Sequence, residues 1–208
     1  MTGFGRRVAS GVGTLALLAA VVVSTGVIGE QRLSTDERYR EFTVTGETGT
    51  WVSTDTFHVE VRSTQAAGVV ADQSGWQYQT SGVWLLVEVR LVARTEPTTI
   101  GYAAVRDDRG RTWRATDRLE QPLLHWSYPL QPGLPVAATL VFEVPTDAAS
   151  SLTLRLSKRA DPRMRLVVQI PLRVPATQVT AALADPEPTV VEPPRLVGED
   201  VDHPGWRP

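Results

Sequence analysis

The sequence predicts an all-β fold, an antiparallel β-sandwich, preceded by one transmembrane helix. Three observations carry this. From Glu41 to Leu172 apolar and polar residues alternate in short runs, the period of half-buried strands. Glycine and proline break that alternation at turn positions. Ahead of it, Val8 to Gly29 holds no charged residue and follows Arg6-Arg7 directly, the pattern of a membrane span with a positive cytoplasmic flank.

Taken in order, residues 1–7 form a cytoplasmic stub and residues 8–29 the anchor. As a helix the anchor is about 33 Å long at ~1.5 Å per residue, enough to cross a hydrocarbon core of about 30 Å. Behind it Glu30, Arg32, Asp36 and Glu37 give a mixed-sign flank. The expected localisation is therefore the cell membrane, single-pass, with the N-terminus cytoplasmic and the C-terminal domain extracytoplasmic. A cleaved signal peptide is the competing reading, with Ser24 and Gly26 as small residues of a cleavage site. The apolar run exceeds the usual signal core of about 7–15 residues, which favours the anchor. Ala16 and Ala20 have the spacing of a helix-pairing face, although that spacing is common by chance and lipid contact is the better explanation. Residues 30–40, polar and charged, read as a juxtamembrane linker.

Residues 41–172 form the sandwich. Phe42 and Val44 begin a short strand. Phe57, Val59 and Val61 alternate with His58, Glu60 and Arg62. Val83, Leu85, Val87, Val89, Leu91 and Ala93 form one face of a long strand, with Trp84, Leu86, Glu88 and Arg90 on the other. Leu140, Phe142 and Val144 form the next face, closed by Pro145. Leu152, Leu154 and Leu156 follow, then Leu166, Val168 and Ile170. Asp107-Asp108-Arg109-Gly110 joins Tyr102–Val105 to Thr112–Ala115 as a tight hairpin, and Gln131-Pro132-Gly133 is a second turn. About seven to nine strands of this kind make an antiparallel sandwich or barrel, and the sandwich is commoner at this length.

From Arg173 the composition changes. Seven of the fifteen prolines fall in residues 173–208, and acidic residues flank them. A segment of this kind buries too little apolar surface to fold alone, so it reads as a disordered, Pro-rich acidic tail with a helical turn or two at Ala176–Ala184. Net charge is −2 and no basic run exists, which argues against nucleic acid. The chain has no cysteine, so disulfides, thiolate metal sites and N-terminal lipidation at cysteine are excluded. Lys158 is the one lysine, against twenty arginines.

The order of these motifs carries a resemblance. The long strand at Val83–Arg94, the Asp107–Arg111 hairpin, Gln131-Pro132-Gly133, then Val141-Phe142-Glu143-Val144-Pro145 and Leu152-Thr153-Leu154 resemble immunoglobulin-like extracytoplasmic domains of Gram-positive bacteria. That group is similar to mycobacterial immunoprotective antigens and consists of domains of unknown function. The resemblance covers about residues 41–172 and implies an immunoglobulin-like sandwich. The chain departs from the pattern at Ala93-Arg94-Thr95-Glu96-Pro97, where the family often carries an asparagine. The resemblance implies no reaction.

Catalytic chemistry finds little support. His58 points to the outer face of its strand, His125 lies in a loop or at a strand edge, and His203 lies in the tail. None has metal-ligand spacing. No GxSxG is present. Asp107 and Asp108 could offer half a calcium site, but Arg106, Arg109 and Arg111 oppose a cation there. Asp55, Glu60 and Glu88 are carboxylates that folding could pair, without positive support from their spacing. No catalytic residue, cofactor or metal is expected, and the chain is read as no enzyme.

Aromatic residues are the candidate contact surface. Trp76 and Tyr78 sit in an amide-rich loop, Gln73 to Gln79, and Trp126 and Tyr128 in an apolar loop, Leu123 to Leu130. Exposed rings on a sandwich stack on sugars or anchor proteins. Trp206 has no core nearby. The reading is a membrane-anchored extracytoplasmic interaction module, non-enzymatic, binding another envelope or membrane protein. The alternative is a small-ligand or cell-wall glycan-binding module using the loop aromatics.

Overall fold

The computed structural model describes residues 41–125, 128–184 and 186–198. The stub, the predicted span Val8–Gly29 and the linker 30–40 lie outside the described residues, as do Trp126, His203 and Trp206. Among the described residues, no helix is long and apolar enough to cross a membrane.

Two sheets face each other. The first runs β1 (Phe42–Thr45), β9 (Leu166–Leu172), β8 (Leu152–Ser157), β5 (Tyr102–Asp107) and β6 (Thr112–Arg114). The second runs β10 (Pro188–Val190), β3 (Phe57–Ala71), β4 (Gln77–Ala93), β7 (Val136–Val144) and β11 (Arg195–Leu196), with β2 (Trp51–Ser53) also on the edge of β3. The alternation read in the sequence sets the inward faces. Phe57, Val59, Leu85, Val87, Leu140, Phe142, Leu154, Leu156, Val168 and Ile170 all join one buried cluster between the sheets. Burying each such side chain contributes about 1.5–3 kcal/mol. Gly110 and Gly133 have φ of 84° and 74°, as the two predicted turns require.

Two edges depart from the antiparallel expectation: β1 lies parallel to β9, and β10 parallel to β3. Parallel neighbours need a long connection rather than a hairpin. These pairs join segments more than a hundred residues apart, so no local signal announces them.

The long hairpin of β3 and β4 folds back on itself. Ala67 pairs with Trp84 and Val69 with Gln79, so Thr80–Val83 all lie opposite Gly68. Across such a straight stretch, Tyr78 and Trp84 would stand about 20 Å apart at ~3.3 Å per residue. Instead the Trp84 indole N–H donates to the Tyr78 carbonyl at 3.0 Å. The chain can turn this sharply at Gly82, where a Cβ would stand 2.2 Å from the Val144 carbonyl oxygen. The fold-back lays Val70 and Tyr78 on the outer face of the second sheet. There they join Ala67, Trp84, Leu86, Leu119 and Val141 in a second apolar layer.

The tail differs from the expected disorder over residues 174–184 and 186–198, while the helical turns expected at Ala176–Ala184 are present. Val174 is buried, and Ala176–Ala184 forms a nine-residue helix, α1, whose Val179 and Ala182 pack on the inter-sheet core. Spaced three apart, they share one helix face. Beyond it, β10 hydrogen-bonds to the edge of β3 and β11 to the edge of β7. Composition tested whether the segment folds alone. It does not need to, because the sheet edges supply partners for its backbone.

Candidate functional site

The most exposed aromatic side chain among the described residues stands on the tip of the folded-back hairpin. Trp76 is 72% exposed. Its turn is held by Asp72, whose Oδ1 accepts the backbone N–H of Ser74 at 2.9 Å and of Trp76 at 3.0 Å. The other carboxylate oxygen, Oδ2, accepts the Tyr78 hydroxyl at 3.1 Å. The backbone closes the same turn, with the N–H of Asp72 donating to the Trp76 carbonyl at 3.0 Å. An Asx-type turn of this kind is the local alternative that aspartate offers to a strand ladder. The hydrogen bond to Asp72, then burial, then the Asp72 charge raise the Tyr78 phenol above its ordinary value.

The three predicted contact residues that are described, Trp76, Tyr78 and Tyr128, do not form one surface. Tyr78 is not in a loop: it belongs to β4, is partly buried, and packs on the outer layer of the second sheet. Tyr128 packs on the inter-sheet core, on the opposite side of that sheet. Trp126 lies outside the described residues. Trp76 alone of the described three is free of the core. Alternation could not separate these cases, because it ran out where the hairpin bends.

Beside the Trp76 turn opens a cleft of about 300 Å³. Asp72, Ser74, Glu120 and Thr139 line it, together with Glu192 and Pro194 of the tail. The Gln73 side-chain amide reaches Glu192 Oε2 at 3.4 Å. Three carboxylates and no lysine or arginine line the cleft among the described residues. Such a lining suits a neutral hydroxyl-rich or a cationic ligand and repels an anion.

Two polar clamps, not evident in the sequence, hold the fold-back in place. Arg118 stacks over the Trp84 ring at 5.2 Å, donates to the Gln79 carbonyl at 2.9 Å and meets Glu143 at 3.4 Å. Gln121 binds the edge of β7 beside Thr116, whose N–H also donates to the Val141 carbonyl at 2.9 Å. Its Oε1 accepts the Val141 N–H at 3.0 Å and its Nε2 donates to the Val141 carbonyl at 3.2 Å. A carboxamide carries one acceptor and a donor pair, so it substitutes here for a neighbouring strand.

Other candidates have structural partners. His58 lies on the outer face as expected, yet it is only 8% exposed, because the unpredicted β2 brings the Ser53 hydroxyl to 2.8 Å from Nδ1. Glu60 pairs with Arg62 at 2.9 Å and faces Arg90 in register. Glu88 accepts the Ser63 hydroxyl, and Asp55 stands in the turn before β3. Asp107 accepts both the Arg111 backbone N–H and its Nε at 2.7 Å, so its carboxylate latches the hairpin. Burial alone would raise the Asp107 carboxyl; the hydrogen bonds and charge of Arg111 outweigh it and hold it below its ordinary value. Among the described residues, no group of three or more His, Cys, Asp or Glu is placed to hold a metal.

No family model matches the chain, and no curated protein is similar to it in sequence. Two solved structures are similar in fold at low overlap. One is a conserved hypothetical protein from Bacillus anthracis, at 14% identity and a TM-score of 0.42, covering 60% of this chain and 94% of that one. The other is an uncharacterized β-sandwich protein from Clostridium difficile 630, at 9% identity and a TM-score of 0.40, covering 66% of this chain and 99% of that one.

Proposed function

We propose that the chain is a membrane-anchored extracytoplasmic interaction module, non-enzymatic, whose immunoglobulin-like sandwich binds another envelope or membrane protein. The observation that carries this reading is Trp76, 72% exposed on a turn fixed by three hydrogen bonds to Asp72. A large ring already held in place loses little freedom on binding, which is the property of an interface anchor. The apolar run Val8–Gly29 supports the address, and the resulting geometry is a single span with the domain outside.

The test places a photo-crosslinking residue at position 76 in intact cells, with position 112, on β6, as the control. A discrete adduct at 76 and none at 112 supports the reading. Equal labelling at both positions, or none at 76, counts against it. Mass spectrometry of the membrane fraction checks the anchor, since an intact N-terminus is expected and a chain starting near residue 27 would remove it.

The cleft favours a second reading. Its volume and its lining by carboxylates and amides beside Trp76 suit a small hydroxyl-rich ligand such as a cell-wall glycan fragment. Titration of tryptophan fluorescence with such fragments is expected to shift the emission of the wild type and not of Trp76→Phe. No shift with any fragment would sink this reading and leave the protein-binding one standing.

A further inference from the structure

The two ends of the first sheet treat their arginines differently. At the hairpin between β5 and β6, Arg111 pairs with Asp107 at 2.7 Å and with Asp147 at 2.9 Å, and Arg109 lies 3.5 Å from Asp147. At the other end, the turn from β8 to β9 runs Lys158-Arg159-Ala160-Asp161-Pro162-Arg163-Met164-Arg165. Its cationic side chains are all exposed. Asp161 takes Arg163 at 2.8 Å. Among the described residues, Lys158, Arg159 and Arg165 form no ion pair. These three, with Ser157 and Thr56, line an open cleft of about 220 Å³ whose lining holds one carboxylate, Asp55. One end of the sheet is neutralised internally, and the other leaves a positive surface that attracts an anion.

Met164 adds an apolar tip to this surface. The Arg165 N–H donates to the Pro162 carbonyl at 3.1 Å, which makes Met164 the third residue of a tight turn. Its φ is 54°, and among the described residues no other residue except glycine has a positive φ. Turns normally give that position to glycine. The Met164 side chain is nevertheless 54% exposed. The turn therefore bears backbone strain while it presents an apolar side chain to solvent.

The described residues also begin at this end, where the Phe42 N–H donates to the Arg165 carbonyl at 2.9 Å. Residues 30–40 separate it from the predicted span Val8–Gly29. At ~3.6 Å per residue that linker reaches about 40 Å at most, so the turn is tethered close to any bilayer that holds the span.

We propose that this end of the sandwich docks on an anionic lipid surface, with headgroup phosphates held by Lys158, Arg159 and Arg165 and with Met164 entering the interface beside them. Cations flanking an apolar side chain hold a protein at headgroup depth by charge and by apolar burial together. Each cation near such a surface contributes about fivefold in binding, so the three together give about a hundredfold. The inference rests on the membrane address of the proposed function and does not involve Trp76.

Because the chain has no cysteine, full-length Ala160→Cys carries a single fluorophore on this turn. The labelled chain is reconstituted in phosphatidylcholine vesicles, with and without phosphatidylglycerol, that contain a nitroxide-bearing lipid as quencher. Quenching is expected with phosphatidylglycerol and is expected to fall at least about fivefold without it. The same fall is expected when Lys158→Gln, Arg159→Gln and Arg165→Gln are combined, and when salt is raised for the otherwise unchanged chain. Met164→Gly suits the backbone of the turn and is expected to weaken the quenching. A label at Thr112→Cys, by the opposite hairpin, is expected to stay unquenched in both lipids. Equal quenching of position 160 in the two lipids, or quenching that survives both the triple substitution and salt, overturns the inference. Alkaline extraction of the same vesicles reads the anchor separately. A chain that resists extraction but is unquenched at 160 overturns the docking and leaves the anchor standing. A chain that is quenched at 160 but extracted overturns the anchor and leaves the docking standing.

Discussion

The two faces of the second sheet each carry an apolar layer, built in different ways. The inner face is made by side chains alone. Val59, Val61, Leu85, Val87, Val89, Leu91, Leu140 and Phe142 are each essentially inaccessible, and they meet the first sheet without a polar group among them. The outer face is a thin layer, Ala67, Val70, Trp84, Leu86, Leu119 and Val141, with a polar clamp at each margin. Arg118 holds Trp84, Gln121 holds Val141, and Asp72 holds the turn above Tyr78. The inner layer is stabilised by area. The outer layer is stabilised by the geometry of a bend and the polar contacts that hold it.

This contrast predicts a ranking of substitutions. Phe142→Ala opens a cavity in the inner layer, where close packing leaves nothing to fill it. It is expected to cost about 3–5 kcal/mol in chemical denaturation, with loss of both sheets together. Gly82→Ala attacks the bend instead. The new Cβ meets the Val144 carbonyl and Pro145, and the expected cost is about 1–3 kcal/mol. Hydrogen exchange should then separate the layers. Amides of Val69–Ala71 and Gln77–Gln79 are expected to speed up while those of Leu85–Leu91 keep their protection. Uniform acceleration would show that the two layers unfold as one.

The same contrast explains what was legible in the sequence. Period two identified β3, β4, β7, β8 and β9 wherever one face met the core, because burial on one side imposes alternation on the residues. It stopped at Ser63–Ala71 and Gln77–Gly82, where the hairpin folds over and both of its faces become partly covered. Turn chemistry located Gly110 and Gly133 because a positive φ leaves a residue-type signature. The strands β2, β10 and β11 have no such signature. β10 and β11 are held by backbone edges rather than by their own side chains, β2 sets only Val52 in the core, and composition alone described 173–198 as disordered. Among the candidate contact residues, Trp76 and Tyr78 are two positions apart with similar neighbours, yet one is exposed and the other packed. Only the path of the bend distinguishes them.

Acid should weaken polar latches and spare apolar layers. Asp107, held below its ordinary value by Arg111, is a latch of the kind the outer layer uses, placed on the first sheet. A depressed carboxyl pKa means that the unfolded chain binds the proton more readily. The latch therefore contributes in full above the ordinary aspartate value of about 3.9 and is lost as pH falls through the lower folded value. Asp161, held at about 2 by hydrogen bonds from Arg163, titrates in the same direction but is exposed, and contributes little. Asp107→Asn is expected to lower stability at pH 7 and to flatten the decline below about pH 4. An unchanged acid slope in that variant would place the pH sensitivity elsewhere.

The smallest expected effect on stability is at Trp76. Its side chain touches neither layer, so Trp76→Ala should leave the unfolding midpoint within about 0.5 kcal/mol of the wild type. A ring that anchors a partner behaves in the opposite way in binding, where its removal costs about 2 kcal/mol or more, a loss of affinity of about thirtyfold. The Asp72 turn then supplies the control. Asp72→Ala keeps the ring but frees the turn, because the N–H groups of Ser74 and Trp76 lose their acceptor. If preorganisation matters, Asp72→Ala weakens capture through Trp76 by an intermediate factor, since the freed turn must be ordered again on binding. If Asp72→Ala binds like the wild type, the ring acts without its scaffold and the fold-back serves the sheet alone.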